Sequence, residues 1–222
     1  MLNNVLLLAA GKGRRLWPLT MFLPKCLIKI NKKSPIDIWY KNIDLKSRVF
    51  INVFYKKKLV INKIHQEKLP LEIFEEEKLL GGINTIKEIT LKYNLRNLTV
   101  IFVDSISNFK VPLFKKNKFG TIVLCKPTVP GSYGYIYKFK NKYYLDEKPK
   151  IIKRNYVYIF SGIIHISQAG LSDIIQNNYN DLVNDFIKKN INNFNFIKTD
   201  TNFIDIGTFG NLIYAKKNFK TD

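Results

Sequence analysis

At 222 residues, with 46% hydrophobic residues, the chain is long enough to bury a substantial core, and wholesale disorder is excluded. Its 37 basic and 17 acidic residues leave a net charge of +20, a field that favours anionic ligands. No apolar run reaches the roughly eighteen residues of a membrane-spanning helix, and Cys26 and Cys125 lack the spacing of a structural zinc site or a disulfide framework.

In chain order, Val5 to Ala10 reads as a buried strand running into the turn Gly11-Lys12-Gly13. Residues 49–54, 69–74 and 98–103 read as further strands, and 36–45, 58–67 and 83–93 have helical spacing. Beyond Gly120 the pattern is richer in strands, over 121–126, 133–139 and 156–167. Helices are predicted at 168–177 and 181–190, a last strand near 195–198 and a terminal helix from about 208 to 218. No repeat and no Pro/Gly/Ser linker interrupts this alternation. It predicts one α/β domain over 1–222, with a nucleotide-type first half to about residue 110 and a more mixed second half over 111–222.

The most informative segment is Leu6 to Ile30, LLLAAGKGRRLWPLTMFLPKCLIKI. Small residues after a strand let the backbone turn tightly and approach an anion. Arg14 and Arg15 follow at once, and Pro24-Lys25 ten residues later. The spacing is not that of a Walker loop, and Leu16 stands where a dinucleotide fingerprint needs its third glycine. Elsewhere, Asp104 closes an apolar strand, the edge at which open α/β sheets present ligand-facing residues. Asp205 lies in Phe203-Ile204-Asp205-Ile206-Gly207-Thr208. His65 and His165 fit no metal-binding or triad spacing.

With these motifs in this order, the chain resembles the sugar-1-phosphate nucleotidyltransferases, whose hallmark is LAAGxGTRLxPLTxxxPKxLxxI. The likeness continues through Asp37-Ile38-Trp39, Asn52, EKLLGGINT, Gly131-Ser132-Tyr133-Gly134, Glu147-Lys148-Pro149 and Ser161-Gly162 to Asp205-Ile206-Gly207-Thr208. It implies a Rossmann-like three-layer sandwich with a mixed, mainly parallel central sheet. It also implies an enzyme in which a sugar 1-phosphate oxygen attacks the α-phosphate of an NTP and expels pyrophosphate. Such chemistry rests on positioning and charge neutralisation.

By resemblance, Arg15 grips the triphosphate, Lys25 sits at the α-phosphate, and Asp104 and Asp205 hold Mg²⁺. The nucleotide would lie against Leu8, Ala9, Ala10, Gly11, Gly13, Arg14, Glu76 and Gly81. The sugar phosphate would lie against Gly134, Glu147, Lys148 and Gly162. Glu76 stands where thymidylyltransferases of similar pattern carry Gln. A carboxylate only accepts hydrogen bonds, and guanine offers adjacent N1–H and N2–H₂ donors, so GTP is favoured. Cytidylyl, uridylyl or thymidylyl transfer, to a sugar phosphate or to a phospho-alcohol such as phosphocholine, is the alternative. A non-catalytic nucleotide-binding partner subunit is a third reading. The expected setting is cytoplasmic, in surface-glycan synthesis for capsule or lipopolysaccharide, with no nucleic acid or membrane partner; a homodimer is compatible with it.

Several positions depart from the hallmark. Arg14 replaces Thr or Ser, Gly82-Ile83-Asn84 replaces Thr-Ala-Gly, Val103 and Ser105 are unusual neighbours of Asp104, and Phe209 replaces a proline. None of these removes a charged site residue.

Overall fold

The computed structural model describes residues 3–114, 119–128, 133–147, 149–151 and 157–220. The first elements in chain order are β1 (Asn4–Leu8), α1 (Pro35–Asn42), β2 (Arg48–Val53), α2 (Lys57–Gln66), β3 (Leu71–Glu75), α3 (Gly82–Tyr93), β4 (Leu98–Phe102) and β5 (Ser105–Ser107). There follow β6 (Gly120–Cys125), β7 (Gly134–Phe139), β8 (Lys142–Glu147), β9 (Tyr158–Ile166), α4 (Gln168–Gln176), α5 (Lys188–Asn190), β10 (Phe194–Thr199), β11 (Phe203–Asp205) and α6 (Phe209–Asn218). This is the α/β architecture, with a mixed sheet and helices between its strands, that the sequence predicts.

The chain divides into two compact units whose segments interleave. The first comprises Met1–Leu79, Ile101–Leu113 and Phe203–Asp222; the second comprises Leu80–Val100 and Phe114–Asn202.

In the first unit β1, β2 and β3 are parallel neighbours, in register Leu8 with Asn52 and Asn52 with Phe74. Val5, Leu6, Leu7, Phe50 and Ile51 are almost fully buried, the continuous apolar run of strands covered on both faces. α1 starts at a capping box. The Ser34 backbone N–H donates to Asp37 Oδ2 at 2.7 Å, the Asp37 N–H returns to Ser34 Oγ, and Pro35 occupies the first turn. Lys63 of α2 then clasps Asp37 at 2.8 Å and Glu67 at 2.6 Å. Burial alone would raise the Asp37 pKa, but hydrogen bonds from Lys63 and Ser34 outweigh it and hold the carboxyl below its usual range. Trp39, fully buried, donates its indole N–H to the Ser105 carbonyl at 2.7 Å, and Asn42 donates to the Ser107 carbonyl at 2.9 Å. Helix α1 thereby fixes β5.

In the second unit β6 pairs parallel with β10 and antiparallel with β9, and β7 pairs antiparallel with β8 and β9. The register of β6 against β9 shifts between Ile122 and Leu124, opposite Ser161-Gly162-Ile163, and Gly162 there has φ +88°. Phe119, Phe186 and Phe194 meet edge-on or stacked at 5.1–5.8 Å and fill the core beside α4 and β10.

The predicted strands and helices are all present, with ends moved by at most three residues. The segment 181–190 is wound as a π-helix over Leu182–Ile187 before it continues into α5. Three strands were not anticipated. β8 buries only Leu145, so it lacks a clear apolar alternation, and β5 and β11 have three residues each. Among the described residues no helix is long and apolar enough to cross a membrane.

Candidate functional site

The loop after β1 is built by short-range contacts. Gly13 takes a left-handed conformation (φ 62°, ψ 33°), which glycine adopts without steric cost, and the backbone then closes a 3₁₀ turn over Arg14–Leu16. Leu16 points into the core and is fully buried, so Arg14 and Arg15 on the same turn are turned outward. Thr20, also fully buried, donates its hydroxyl to the Gly13 carbonyl at 3.0 Å. The Tyr55 hydroxyl in turn donates to the Thr20 carbonyl at 2.8 Å. A further 3₁₀ turn, Lys25–Leu27, buries Cys26 and Leu27 and leaves the Lys25 side chain 12% exposed.

Asp104 and Asp205 lie a hundred residues apart in sequence, and the small β5–β11 ladder brings them together. Its register pairs Asp205 with Ser105, and the Ile206 N–H donates to the Asp104 carbonyl at 2.9 Å. The two carboxylates converge on one ammonium. Lys25 Nζ stands 3.3 Å from Asp104 Oδ2 and 3.9 Å from Asp205 Oδ1. Arg15 Nη2 approaches Asp205 Oδ2 at 4.0 Å, with its side chain more than half exposed. The Gly207 N–H donates to Asp205 Oδ1 at 2.7 Å and fixes the rotamer of that carboxylate. Beneath the cluster lies an apolar layer of Leu16, Ile28, Ile30, Ile106, Ile204 and Ile206. Each buried side chain of this kind is worth about 1.5–3 kcal/mol relative to exposure, which holds the backbone that carries the charged groups.

Val103 and Ser105 are buried, and only the aspartate between them faces outward. Thr208 caps α6 by accepting the Asn211 N–H, and Phe209 is the partly exposed first residue of that helix. Arg14 is exposed.

The remaining predicted nucleotide contacts are distributed differently. The Leu8 carbonyl accepts the Val103 N–H at 3.3 Å, and the Ala9 N–H donates to Asn52 Oδ1 at 2.7 Å, so both groups are engaged within the protein. Glu76 is 2% exposed, and its Oε1 accepts the Asn52 side-chain N–H at 2.7 Å. Gly81, in the second unit, is the N-cap of α3 with φ +80°. Also in the second unit, the β7–β8 register sets Gly134 opposite Glu147, and Glu147 Oε2 lies 2.5 Å from where a Cβ on Gly134 would stand. Gly162 occupies the irregularity in β9 described above. Gly131, Ser132 and Lys148 lie outside the described residues.

No cysteine competes for a chemical role. Burial pushes the thiol of Cys26 up to about 12, and that of Cys125 likewise, so neither forms a thiolate near neutrality. His165 is a core residue: its Nδ1 lies 3.1 Å from the Thr99 hydroxyl, its ring stacks on Phe114, and burial lowers its pKa to about 4.

The family model for nucleotidyl transferases matches residues 4–222. The chain belongs to the nucleotidyl transferase family. This nucleotidyl transferase is similar in fold to several solved structures at low sequence identity. A Bacillus anthracis protein assigned as a glucose-1-phosphate thymidylyltransferase superposes with a TM-score of 0.78 at 19% identity, covering 100% of this chain and 98% of that one. HddC from Yersinia pseudotuberculosis, complexed with GMP-PN, gives 0.74 at 20% identity over 99% and 100% of the two chains. CTP:phosphocholine cytidylyltransferase (LicC) from Streptococcus pneumoniae gives 0.77 at 19% identity, again over 99% and 100%. No curated protein matches by sequence. Within this family the motif order of the chain, from the β1 loop to Thr208, acquires its chemical sense.

The sequence alone did not single out Thr20, Gly207 or the pairing of Asn52 with Glu76. Each is a motif residue by position, but its partner lies on a different segment, and no local pattern names that partner.

Proposed function

We propose that the chain catalyses Mg²⁺-dependent transfer of a nucleotidyl group from an NTP to a sugar 1-phosphate. A phosphate oxygen of the acceptor forms a bond to the α-phosphorus, the bond from the α-phosphorus to the bridging oxygen breaks, and pyrophosphate leaves with the electron pair. The observation that carries this reading is the convergence of Asp104 and Asp205 on Lys25, with Arg15 beside them and the Gly11–Gly13 turn on the same unit. In this reading Lys25, largely buried and held by the two carboxylates, would meet the α-phosphate, where negative charge builds as the new bond forms. Arg15, exposed and within reach of one carboxylate, is free to swing to the triphosphate tail.

The donor set fits magnesium. Two carboxylates side by side, with no third His, Cys, Asp or Glu grouped with them among the described residues, suit an ion that keeps waters and takes substrate phosphate oxygens. Asp104 and Asp205 would hold it, and bound there it would supply neutralising charge for the triphosphate and the departing pyrophosphate. For the acceptor, Glu147 with Gly134 and Gly162 is the set proposed in the second unit, Glu147 accepting sugar hydroxyls.

The preference for GTP rests on the position of Glu76 in the sequence. Its carboxylate is buried and bonded to Asn52, so guanine would have to draw it away from that partner. A role in surface-glycan synthesis follows if the product is a nucleoside-diphosphate sugar.

Pyrophosphate release, measured with Mg²⁺ over the common NTPs against a panel of sugar 1-phosphates and phosphocholine, tests the proposal. Release with one NTP and one sugar phosphate is the expected result. Release with CTP and phosphocholine alone would replace the acceptor class. Nucleotide binding without release under any combination would favour a non-catalytic partner subunit.

A further inference from the structure

At the carboxyl ends of the three parallel strands β1, β2 and β3, three residues stand in a row. Ala9 follows β1, Asn52 is the penultimate residue of β2, and Glu76 follows β3. Their groups are linked in sequence: the Ala9 N–H donates to Asn52 Oδ1 at 2.7 Å, and Asn52 Nδ2 donates to Glu76 Oε1 at 2.7 Å. The Glu76 backbone N–H is itself anchored on the Val53 carbonyl at 3.0 Å. Asn52 and Glu76 are 3% and 2% exposed, so water does not compete for these bonds.

The polarity of the row is forced. The Ala9 N–H can only donate and Glu76 Oε1 accepts from the other side, so the residue between them must accept on one side and donate on the other. A carboxamide does both with one planar group, and the Glu76 carboxylate decides which way round that group sits. If the amide turned over, Nδ2 would face the Ala9 N–H and Oδ1 would face the carboxylate, two repulsive contacts in a buried site.

We infer that Glu76 is a positioning residue, a buried carboxylate that holds Asn52 in the one orientation able to bind the Ala9 N–H and so sets where the phosphate loop leaves β1. The inference rests on the proposed reading of that loop as the triphosphate site, and it gives Glu76 a task independent of the base. With the Ala9 amide engaged, the backbone donors presented to phosphate begin beyond it, towards Gly11. A loop displaced at its root carries Gly11, Gly13 and Arg15 with it, and small misplacements of positioning groups cost large factors in rate.

The test combines amide hydrogen exchange of Ala9 in the substrate-free protein with NTP kinetics, for two variants. Glu76→Leu removes the acceptor for Asn52 without touching Ala9; protection of the Ala9 amide is expected to fall about tenfold, and KM to rise about tenfold for the NTP that supports release, the size seen when an orienting partner is lost. The double variant Asn52→Asp with Glu76→Gln exchanges donor and acceptor between near-isosteric side chains. The carboxylate introduced at position 52 then accepts from the Ala9 N–H and from the carboxamide introduced at position 76, so Ala9 protection and KM are expected to return towards the wild-type values. Because this pair preserves shape and charge, it also decides the matter if Glu76→Leu does not fold. Unchanged Ala9 protection in Glu76→Leu, or no recovery in the exchanged pair, would overturn the inference. If the wild-type protein releases no pyrophosphate at all, the enzymatic reading fails, and the exchange series still decides the relay.

Discussion

A methyl group at position 207 would press on the Arg15–Asp205 pair. A Cβ there would stand 2.6 Å from Arg15 Nη2 and 2.7 Å from Asp205 Oδ1, so the guanidinium would have to give way. Gly207→Ala is expected to displace Arg15 and raise the KM for NTP about tenfold, while the thermal midpoint moves by only a few degrees; steady-state kinetics and a melting curve check both. Lys25→Ala and Asp104→Ala remove groups assigned to the charge of the transition state. Each is expected to lower pyrophosphate release by about 10²–10³ with unchanged circular dichroism, and near-normal release in either would withdraw its role. Arg15, Lys25, Asp104 and Asp205 were put forward from the resemblance of the sequence to a family, and the structure brings the four side chains together. The surroundings of Glu76 were not legible: the acidic run Glu75-Glu76-Glu77 gives no sign that the middle carboxylate turns inward to meet Asn52.

At the scale of elements, strands and helices with a strong apolar period were legible, since β1, β2, β4, β6 and α3 bury whole runs or whole faces. The three-residue strands β5 and β11 carry no such period, yet their ladder sets the distance between the two site aspartates. Thr20→Val tests the loop itself. It keeps the branched shape but deletes the hydroxyl that binds the Gly13 carbonyl, and a loss of about 1 kcal/mol is expected in denaturant unfolding. His165 joins β9 to Thr99 of β4 and makes stability depend on acidity. Burial holds its folded pKa down at about 4, against 6.5 for the exposed imidazole. Between those values the unfolded chain binds the extra proton, so stability is intact above 6.5 and falls as the pH drops towards 4. The full loss is on the order of 3 kcal/mol. Denaturant titrations at several pH values should show this slope, and His165→Gln should flatten it.

For the molecule as a whole, the net charge of +20 is a long-range field rather than a fold determinant. It is expected to assist capture of a triphosphate, so the KM for NTP should rise severalfold from low to physiological salt with kcat little changed; a KM insensitive to salt would leave the charge without this role. From the sequence alone came the α/β alternation, the β1 loop and the identities of its cations and of the two aspartates, because these depend on residues near one another in the chain. Only the tertiary structure decided that Asp104 and Asp205 share Lys25, that Gly207 makes room for Arg15, and that Glu76 faces Asn52. Those pairings join segments from tens to nearly two hundred residues apart. They are settled by strand register and by the burial of polar groups that must find partners, and neither leaves a periodic trace in the sequence.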